Sequence, residues 1–481
     1  MDVFSADGLL PIRELVLVDA QRGHIALHFN QLDTVWQSEV KAPSNQTQAE
    51  VLTDVQAQTS GNIWYVATTG NNANSCSSFD NPCLTIMGAI GKAVAGDTLR
   101  IAGGTYTGSG GYVVVTNKDV TLSGGWNADF TLQTSETIID GQSSRIGLYL
   151  YNGISVVDHL TVQNGTTGIF LTGTGSTTVR NVTVKNNRTG MQIAHTTDIF
   201  ESAIIQNHST AYNMAGGLYI NGVNVSITNS TISGNSNTAG TGGIFSSGTL
   251  TIKYSTITNN TGSFGSYPLF AGGLKSSSTV ILYNTILAGN TGAIKDCYAS
   301  DGAIYSYADN ILGDMTSCSG NFLEYAHSKY ADPMLGPLSN DYHFLLLGSP
   351  AIDAGDSFIC PVTDQRGVPR PQGAACDIGA FEFSGNGTIP AYIFPYDGAL
   401  QIIETGKPAL KNLKAFVLDA NGDGVPGKTV TFTAPGDGAS ATFADTSTNV
   451  STSVTDANGL AISSVVSANN IAGSYTVQVT V

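Results

Sequence analysis

Five segments of the chain repeat one pattern that ends in asparagine, and this repeat constrains the fold more than any other feature of the sequence. In every copy the third and the eighth positions before the final asparagine are apolar. The intervals between these asparagines are 20, 28, 25 and 30 residues. The segments are VRNVTVKNN, IFESAIIQN, SITNSTISGN, TIKYSTITNN and ILYNTILAGN, which end at Asn187, Asn207, Asn235, Asn260 and Asn290.

Short apolar strands that alternate with Gly and Asn turns at this variable period predict a parallel β-solenoid. One coil cannot bury its apolar side alone, so successive coils stack and share one core. The five asparagines then fall at the same turn of successive coils, where Asn tolerates the left-handed backbone conformation. We expect their amides to hydrogen-bond from coil to coil as a structural ladder.

The start of the solenoid combines a strand at Ile63–Val66 with a helical apolar spacing between Leu84 and Val94, which predicts a helix that covers the open end of the core. The following stretch, AIGKAVAGDTLRIAGGTY, resembles the entry of right-handed parallel β-helix proteins of the pectate-lyase-like superfamily. The Gly-Gly-aliphatic and Thr-Ile-x-x-Asn repeats resemble bacterial surface β-helix proteins, including polymorphic outer-membrane protein repeats. These resemblances imply a right-handed parallel β-helix, which we assign to residues 62–345.

The segment after the helix carries three motifs in about fifty residues: GSPAIDAG, DQRGVPRP and CDIGAFE. They resemble the terminal module of bacterial β-helix surface proteins of the choice-of-anchor Q type. The resemblance implies a module over residues 346–383 that closes the C-terminal end of the helix. It also implies a location at the bacterial cell surface, and it implies no activity.

Two further regions flank this core. Alternating strands with DANG and PG turns predict a β-sandwich over residues 388–481, which resembles the bacterial Ig-like domain of invasin and intimin type. Residues 1–40 resemble part of a PepSY-like or protease-propeptide module, and residues 41–61 form a polar linker. The predicted fold class is therefore all-β, a right-handed parallel β-helix followed by an Ig-like β-sandwich.

The charge of the chain limits its partners. There are 20 Lys and Arg against 36 Asp and Glu, which gives a net charge of −16 and argues against nucleic-acid binding. No apolar run approaches the ~18–20 residues of a membrane span. The start Met1-Asp2-Val3-Phe4 lacks a secretory signal, so we expect an export signal to lie outside this sequence.

The six cysteines fall into three local pairs, which predicts disulfides, although six cysteines allow 15 pairings. Buried free thiols are the alternative, while zinc is disfavoured because the chain has no CxxC. Disulfides indicate an oxidising compartment, so we expect an extracellular or bacterial cell-surface protein. The pairs are Cys76/Cys83, Cys297/Cys318 and Cys360/Cys376.

Polysaccharide chemistry is the enzymatic alternative for such a fold. Hydrolysis of a glycosidic bond needs two carboxylates that face one groove. The chain has no Asp-Asp pair and lacks the Gly-His-Gly and Arg-x-Lys cluster of polygalacturonases. Coil register is expected to bring Asp158, Arg180 and Glu201 together, as a catalytic group or as a surface ion-pair ladder. The wider candidate set adds His159, His208 and the catalytic candidates Lys185, Arg188 and His195.

A metal site is not indicated. Residues 419–424 mimic the first half of an EF-hand loop, but Val430 stands where the final Glu belongs. The sequence therefore predicts a turn and no cofactor, with weak calcium binding left open.

Two functions follow from these features. The first is a non-catalytic surface or secreted protein, an adhesin or structural module whose partner is an extracellular glycan, a cell-surface molecule or another copy of itself. The second is a carbohydrate-active enzyme, a polysaccharide lyase or glycosidase. The anchor-type module and the missing catalytic motifs favour the first, whereas only the fold favours the second.

Overall fold

The computed structural model describes residues 61–481, apart from 264–268, 314–315, 317, 326–327, 386, 400 and 420–421. The predictions for residues 1–40 and for nearly all of the 41–61 linker lie outside the described residues. The described part of the chain is almost entirely β-structure and contains one short helix, Ile86–Lys92. With seven residues, that helix is too short to cross a membrane.

Parallel strands of successive coils build an 18-stranded sheet in two rows, which share the strands Cys297–Ser306 and Cys318–Glu324. The first row is Ile63–Val66, Asp97–Ala102, Val120–Trp126, Ile154–Asp158, Ser176–Arg180, Thr196–Phe200, Val225–Thr228, Leu250–Lys253 and Thr279–Tyr283. The second row is Tyr112–Thr116, Ile146–Tyr151, Thr167–Thr172, Met191–Ile193, Leu218–Ile220, Ile244–Ser246 and Leu274–Ser276.

A separate ten-stranded parallel sheet forms the remaining side of the coils. Because each strand pairs with its equivalent one coil away, the chain winds as a right-handed parallel β-helix, and the predicted fold class is confirmed. A short pair, His208–Ser209 and Ser236–Asn237, extends one turn. The ten strands are Gly104–Tyr106, Thr137–Asp140, Thr161–Gln163, Thr183–Lys185, Ala203–Ile205, Thr231–Ser233, Thr256–Thr258, Ile286–Leu287, Ile311–Leu312 and Lys329–Tyr330.

The interior is filled by two columns that the repeat predicts. Alternate residues of a strand face opposite sides, so one apolar side chain per strand points inward in each coil. All ten of these side chains have no solvent exposure, which confirms the predicted core. They are Val179, Ile199, Ile227, Ile252 and Leu282 in the first row, with Val184, Ile204, Ile232, Ile257 and Leu287 in the ten-stranded sheet.

The helix covers the N-terminal end of this core. Thr85 caps it, because its hydroxyl accepts a hydrogen bond from the Gly88 N–H at 3.0 Å. Its buried face, Ile86, Ala89 and Ile90, joins the interior of the first coils. The predicted helix is confirmed with shorter bounds.

The five repeat asparagines form one continuous buried ladder. In each step the Nδ2 and the backbone N–H of one asparagine donate to the Oδ1 of the next, at 2.9–3.1 Å. Each side chain is at most 2% exposed. The ladder ends at Asp296, whose Oδ1 accepts both donors of Asn290 at 2.9 and 3.0 Å. A carboxylate only accepts, so the chain of donors stops there.

All three predicted disulfides are present: Cys76–Cys83, Cys297–Cys318 and Cys360–Cys376. Cys297 and Cys318 are register partners on neighbouring strands, so their bond links two coils directly. The described residues contain no free cysteine.

The segment after the helix lies along its side. The hairpin Leu335–Ser339 and Tyr342–Leu345 and the residues that follow pack Phe344, Ile378 and Phe381 against the outward-facing Ile286 and Ile311. The Thr183 hydroxyl donates to Asp341 at 2.6 Å, and the Ala380 N–H donates to Thr256 at 3.1 Å. This segment, residues 335–383, which we call the covering segment, therefore lies over a lateral face of the ten-stranded sheet, whereas the resemblance implies a closure at the end of the helix.

The C-terminal region is antiparallel and has its own core of buried side chains, among them Val417, Phe432 and Phe443. Phe416 and Leu418 also pack against the segment that covers the helix. The strands pair as Tyr392–Asp397 with Lys414–Leu418 and Leu460–Ile462; as Val450–Val454 with Thr429–Thr433 and Gln478–Thr480; and as Ala441–Phe443 with Val466–Ala468.

Asn235→Ala tests the ladder. The change leaves the two donors of Asn207 without their acceptor and removes a donor from Asn260, all of them buried, so we expect a loss of about 2–4 kcal/mol in unfolding free energy. Urea unfolding followed by circular dichroism measures the loss. Thr238→Ala, at an exposed position, is the control and should shift stability by less than about 0.5 kcal/mol. Equal midpoints for the two variants would contradict the ladder's role.

Candidate functional site

Asp158, His159 and Arg180 form the one close cluster within the candidate set. Arg180 is the register partner of Asp158 on the next coil, and its Nε lies 3.0 Å from Asp158 Oδ1. His159 Nδ1 donates to the same oxygen at 2.8 Å. Burial raises the pKa of Asp158, but the His159 hydrogen bond and the neighbouring positive charges outweigh it, so the pKa lies below its usual value. Asp158 is therefore a buried anion that orients two partly exposed cationic or basic side chains.

Polar and aromatic groups of the two preceding coils extend this cluster. Gln133 Nε2 donates to Asp158 Oδ2 at 3.3 Å and to the Ser123 hydroxyl at 3.2 Å. Trp126 Nε1 also donates to Ser123, and the Arg100 guanidinium lies 4.2 Å from the centroid of the Trp126 ring. All of these contacts join side chains within one coil or between neighbouring coils. This arrangement favours an ion-pair ladder that supports the coils over a catalytic group.

Glu201 does not join this cluster, so the expected juxtaposition of Asp158, Arg180 and Glu201 is wrong. The register partner of Arg180 on the next coil is Phe200, and Glu201 stands one residue further on, in the turn. Its Oε1 accepts a hydrogen bond from Thr363 at 3.2 Å. Glu201 and Asp341 line a polar cleft of about 240 Å³ between the coils and the covering segment.

The other candidates are spread around the coil. Lys185 ends a strand of the ten-stranded sheet and lies 3.8 Å from Glu136. Arg188 is exposed beyond the ladder, and His208 contacts Ser236 at 2.6 Å on another turn. One coil consists of three strands separated by turns. Arg180, Lys185, Arg188 and His195 follow one another at intervals of five, three and seven residues, so they fall on different strands and turns of the coil.

His195 is a buried structural residue. Its Nε2 accepts from the Thr177 hydroxyl at 2.9 Å, and its Nδ1 donates to the Thr172 carbonyl at 3.3 Å. Burial lowers its pKa, against the opposing effect of the Thr172 hydrogen bond. The histidine is therefore neutral at pH 7 and satisfied within the fold.

Charged residues of the DQRGVPRP and CDIGAFE motifs meet in one buried network. Arg366 pairs with Asp364 at 2.6 Å, and Arg370 pairs with Glu382 at 3.0 Å. Glu382 also accepts from the Asp377 N–H at 2.9 Å. These side chains are at most 8% exposed, so their contacts fix the path of the covering segment.

Asp377 in this network and Asp423 beside it carry raised pKa values. Burial, together with the neighbouring Glu382, raises the pKa of Asp377 to about 7, despite hydrogen bonds from the N–H groups of Phe383 and Asp353. Burial likewise raises the pKa of Asp423, at the border of the C-terminal region, to about 6.

Metal ligands do not converge in the part of the chain that the structure describes, where no group of three His, Cys, Asp or Glu side chains could hold an ion. In the EF-hand-like segment, Asp419 Oδ1 accepts from the Asp423 N–H at 3.0 Å, and the Asp423 carboxylate accepts from the Ser384 hydroxyl. The absence of a cofactor stays a prediction.

Comparison with protein-family models agrees with the fold. Residues 167–313 match the family model of the right-handed β-helix region. A solved pectate lyase, Pel9A, aligns with 16% identity and a TM-score of 0.44, covering 66% of this chain and 96% of its own. A rhamnogalacturonan lyase aligns with 12% identity and a TM-score of 0.37, covering 58% of this chain and 91% of its own. No curated protein sequence matches the chain.

Lys275 is a further candidate for a functional residue, and the sequence alone does not indicate it. It is 6% exposed, and its Nζ lies 5.2 Å and 4.6 Å from the ring centroids of Phe245 and Phe270. Burial lowers its pKa, against the opposing charge of Asp301. Lys275 differs from the other lysines in that its outward-facing side chain is covered by Phe245 and Phe270. No sequence motif surrounds it.

Asp377→Asn tests the buried network through pH. The folded-state pKa of Asp377 lies above the ordinary carboxyl value, so its protonated form stabilises the fold at low pH and this contribution is lost as the pH rises through 7. We expect the stability of the wild type relative to the variant to increase by about 2 kcal/mol as the pH falls from 8 to 5. Urea titrations at both pH values measure it, and a constant difference would refute the assignment.

Proposed function

We propose that the chain is a non-catalytic extracellular or cell-surface β-helix protein, an adhesin or structural module that contacts glycans. The observation that carries this proposal is the dispersal of the candidate catalytic residues. Lys185 pairs with Glu136, His195 is buried between threonines, and Glu201 is bound by Thr363. These side chains contribute to the stability of the coils and do not converge on one reacting position.

The proposed location rests on the disulfides. Three disulfides indicate an oxidising compartment, as in secreted proteins. The choice-of-anchor Q motifs further support attachment at a bacterial surface. Under this proposal, the antiparallel C-terminal region is an Ig-like spacer that holds the helix away from the surface.

The second candidate is a carbohydrate-active enzyme, and Lys275 is the observation that favours it. A buried amine with a lowered pKa is suited to take up a proton, as in a β-elimination that a polysaccharide lyase carries out. The cleft with Glu201 and Asp341 is the corresponding observation for a glycosidase, because it places two carboxylates around one space.

One experiment separates the two functions. The full chain is incubated with immobilised plant and microbial polysaccharides, and bound protein, new reducing ends and unsaturated uronate absorbance are measured with and without calcium. We expect retention on at least one polysaccharide without any product, because the catalytic candidates are dispersed. Product formation would contradict the proposal. Turnover that Lys275→Met abolishes and Lys407→Met, an exposed control, preserves would establish the lyase.

A further inference from the structure

One residue at or near the C-terminal end of each first-row strand stands in one continuous column on the outward side of the strands. We call it the edge column, and strand register defines it from coil to coil. The tyrosines of the last coils continue it by ring stacking. Its members are Tyr65, Arg100, Ser123, Asp158, Arg180, Phe200, Thr228, Lys253, Tyr283, Tyr307 and Tyr325.

The C-terminal half of the edge column is aromatic and carries one cation. Tyr283 stacks on Tyr307 at 5.7 Å and Tyr307 stacks on Tyr325 at 5.0 Å between ring centroids. Lys253 Nζ lies 5.5 Å from the centroid of Tyr283. Phe200 and Tyr325 are 36% and 60% exposed. This half is thus a strip of partly exposed rings with a hydrogen-bond donor among them.

A loop of the covering segment, residues 356–363, runs beside this strip. At one end, the Asp356 N–H donates to Asn284 at 2.8 Å, and the Asp356 carbonyl accepts from the Tyr254 hydroxyl. Asn284 and Tyr254 are the turn residues that directly follow Tyr283 and Lys253 of the edge column. The loop therefore begins against the turns of these two coils.

The other end of the loop is fixed two coils further along. The Thr363 carbonyl accepts from Asn229 at 2.6 Å, and its hydroxyl donates to Glu201 at 3.2 Å. Asn229 and Glu201 directly follow Thr228 and Phe200. With coils ~4.8 Å apart, the loop flanks four coils of the edge column, so it forms a wall and the column forms a floor.

The wall exposes apolar side chains to solvent. Phe358 is 92% exposed and Val362 is 83% exposed. Between them, Cys360 is tied to Cys376, which holds the loop in place. A constrained loop with exposed apolar groups beside a row of aromatic rings is typical of a ligand-binding surface.

We propose that this groove binds a linear neutral polysaccharide that lies parallel to the helix axis. The inference rests on the proposed function and gives it a ligand class and a site. The apolar faces of the sugar rings pack against Phe200, Tyr283 and Phe358, while Lys253 donates to a sugar hydroxyl.

Charge favours a neutral over an acidic polysaccharide. The net charge of −16 repels polyanions at long range, and Glu201 adds an acidic group at the wall. A linear polymer fits because the floor repeats once per coil along one direction. A branched or compact ligand would not use four successive coils.

Affinity electrophoresis of the full chain tests the groove with three probes: a linear β-glucan, a xylan and polygalacturonate. We expect binding to at least one neutral probe, and we expect Phe358→Ser and Lys253→Met each to weaken it at least five-fold. Phe358 is too exposed for its replacement to unfold the chain. Leu410→Ser, at a 96% exposed position in the C-terminal region, is the matched control and should bind as the wild type does.

The outcomes separate the groove from the proposed function. Neutral-glycan binding that both groove variants retain would overturn the groove and leave the proposed function intact. Binding of polygalacturonate alone would overturn the ligand class. A change of oligomeric state in Phe358→Ser, measured by sedimentation with glycan affinity unchanged, would make the groove a contact between copies and overturn the proposal. No binding to any probe by the wild type would contradict the groove and, if other polysaccharides also failed, the proposed function.

Discussion

The buried asparagine ladder is the interaction on which the rest of the structure depends. An amide side chain both donates and accepts, so one residue type at one turn can link every coil to the next. From Asn187 to Asn290 the links run in one direction, and the Asp296 carboxylate ends them because it cannot donate further. Because these side chains are at most 2% exposed, each link is costly to leave unpaired, which fixes the register of the coils.

Register in turn positions the surface. Once the coils are aligned, one residue at or near the end of each first-row strand falls in the edge column, and from Asp158 to Tyr283 the turn residue that follows falls beside it. The covering segment uses that turn row for its own attachment, through Asn229, Tyr254 and Asn284. The groove therefore follows from the same alignment that buries the core, and its wall is held by the buried pairs of Arg366 and Arg370.

The sequence predicts the fold well because the repeat is local. The spacing of Val184 and its equivalents, the terminal helix and the three cysteine pairs each follow from residues close in the chain, and the structure contains them all. The site is harder to predict, because an error of one residue in strand register changes which side chains meet. The register partner of Arg180 is Phe200, and Glu201, the next residue, lies in the turn. Lys275 and the loop at Phe358 escape sequence reasoning, since their surroundings come from segments far apart in the chain.

Native-state hydrogen exchange tests most directly whether the ladder fixes the coils. The backbone amides of Asn207, Asn235 and Asn260 donate within it. We predict that they exchange only through global unfolding, with one shared protection factor. Exchange of these amides by local fluctuation, at a rate near that of the exposed turn residue Gly110, would show that the ladder does not hold the helix together.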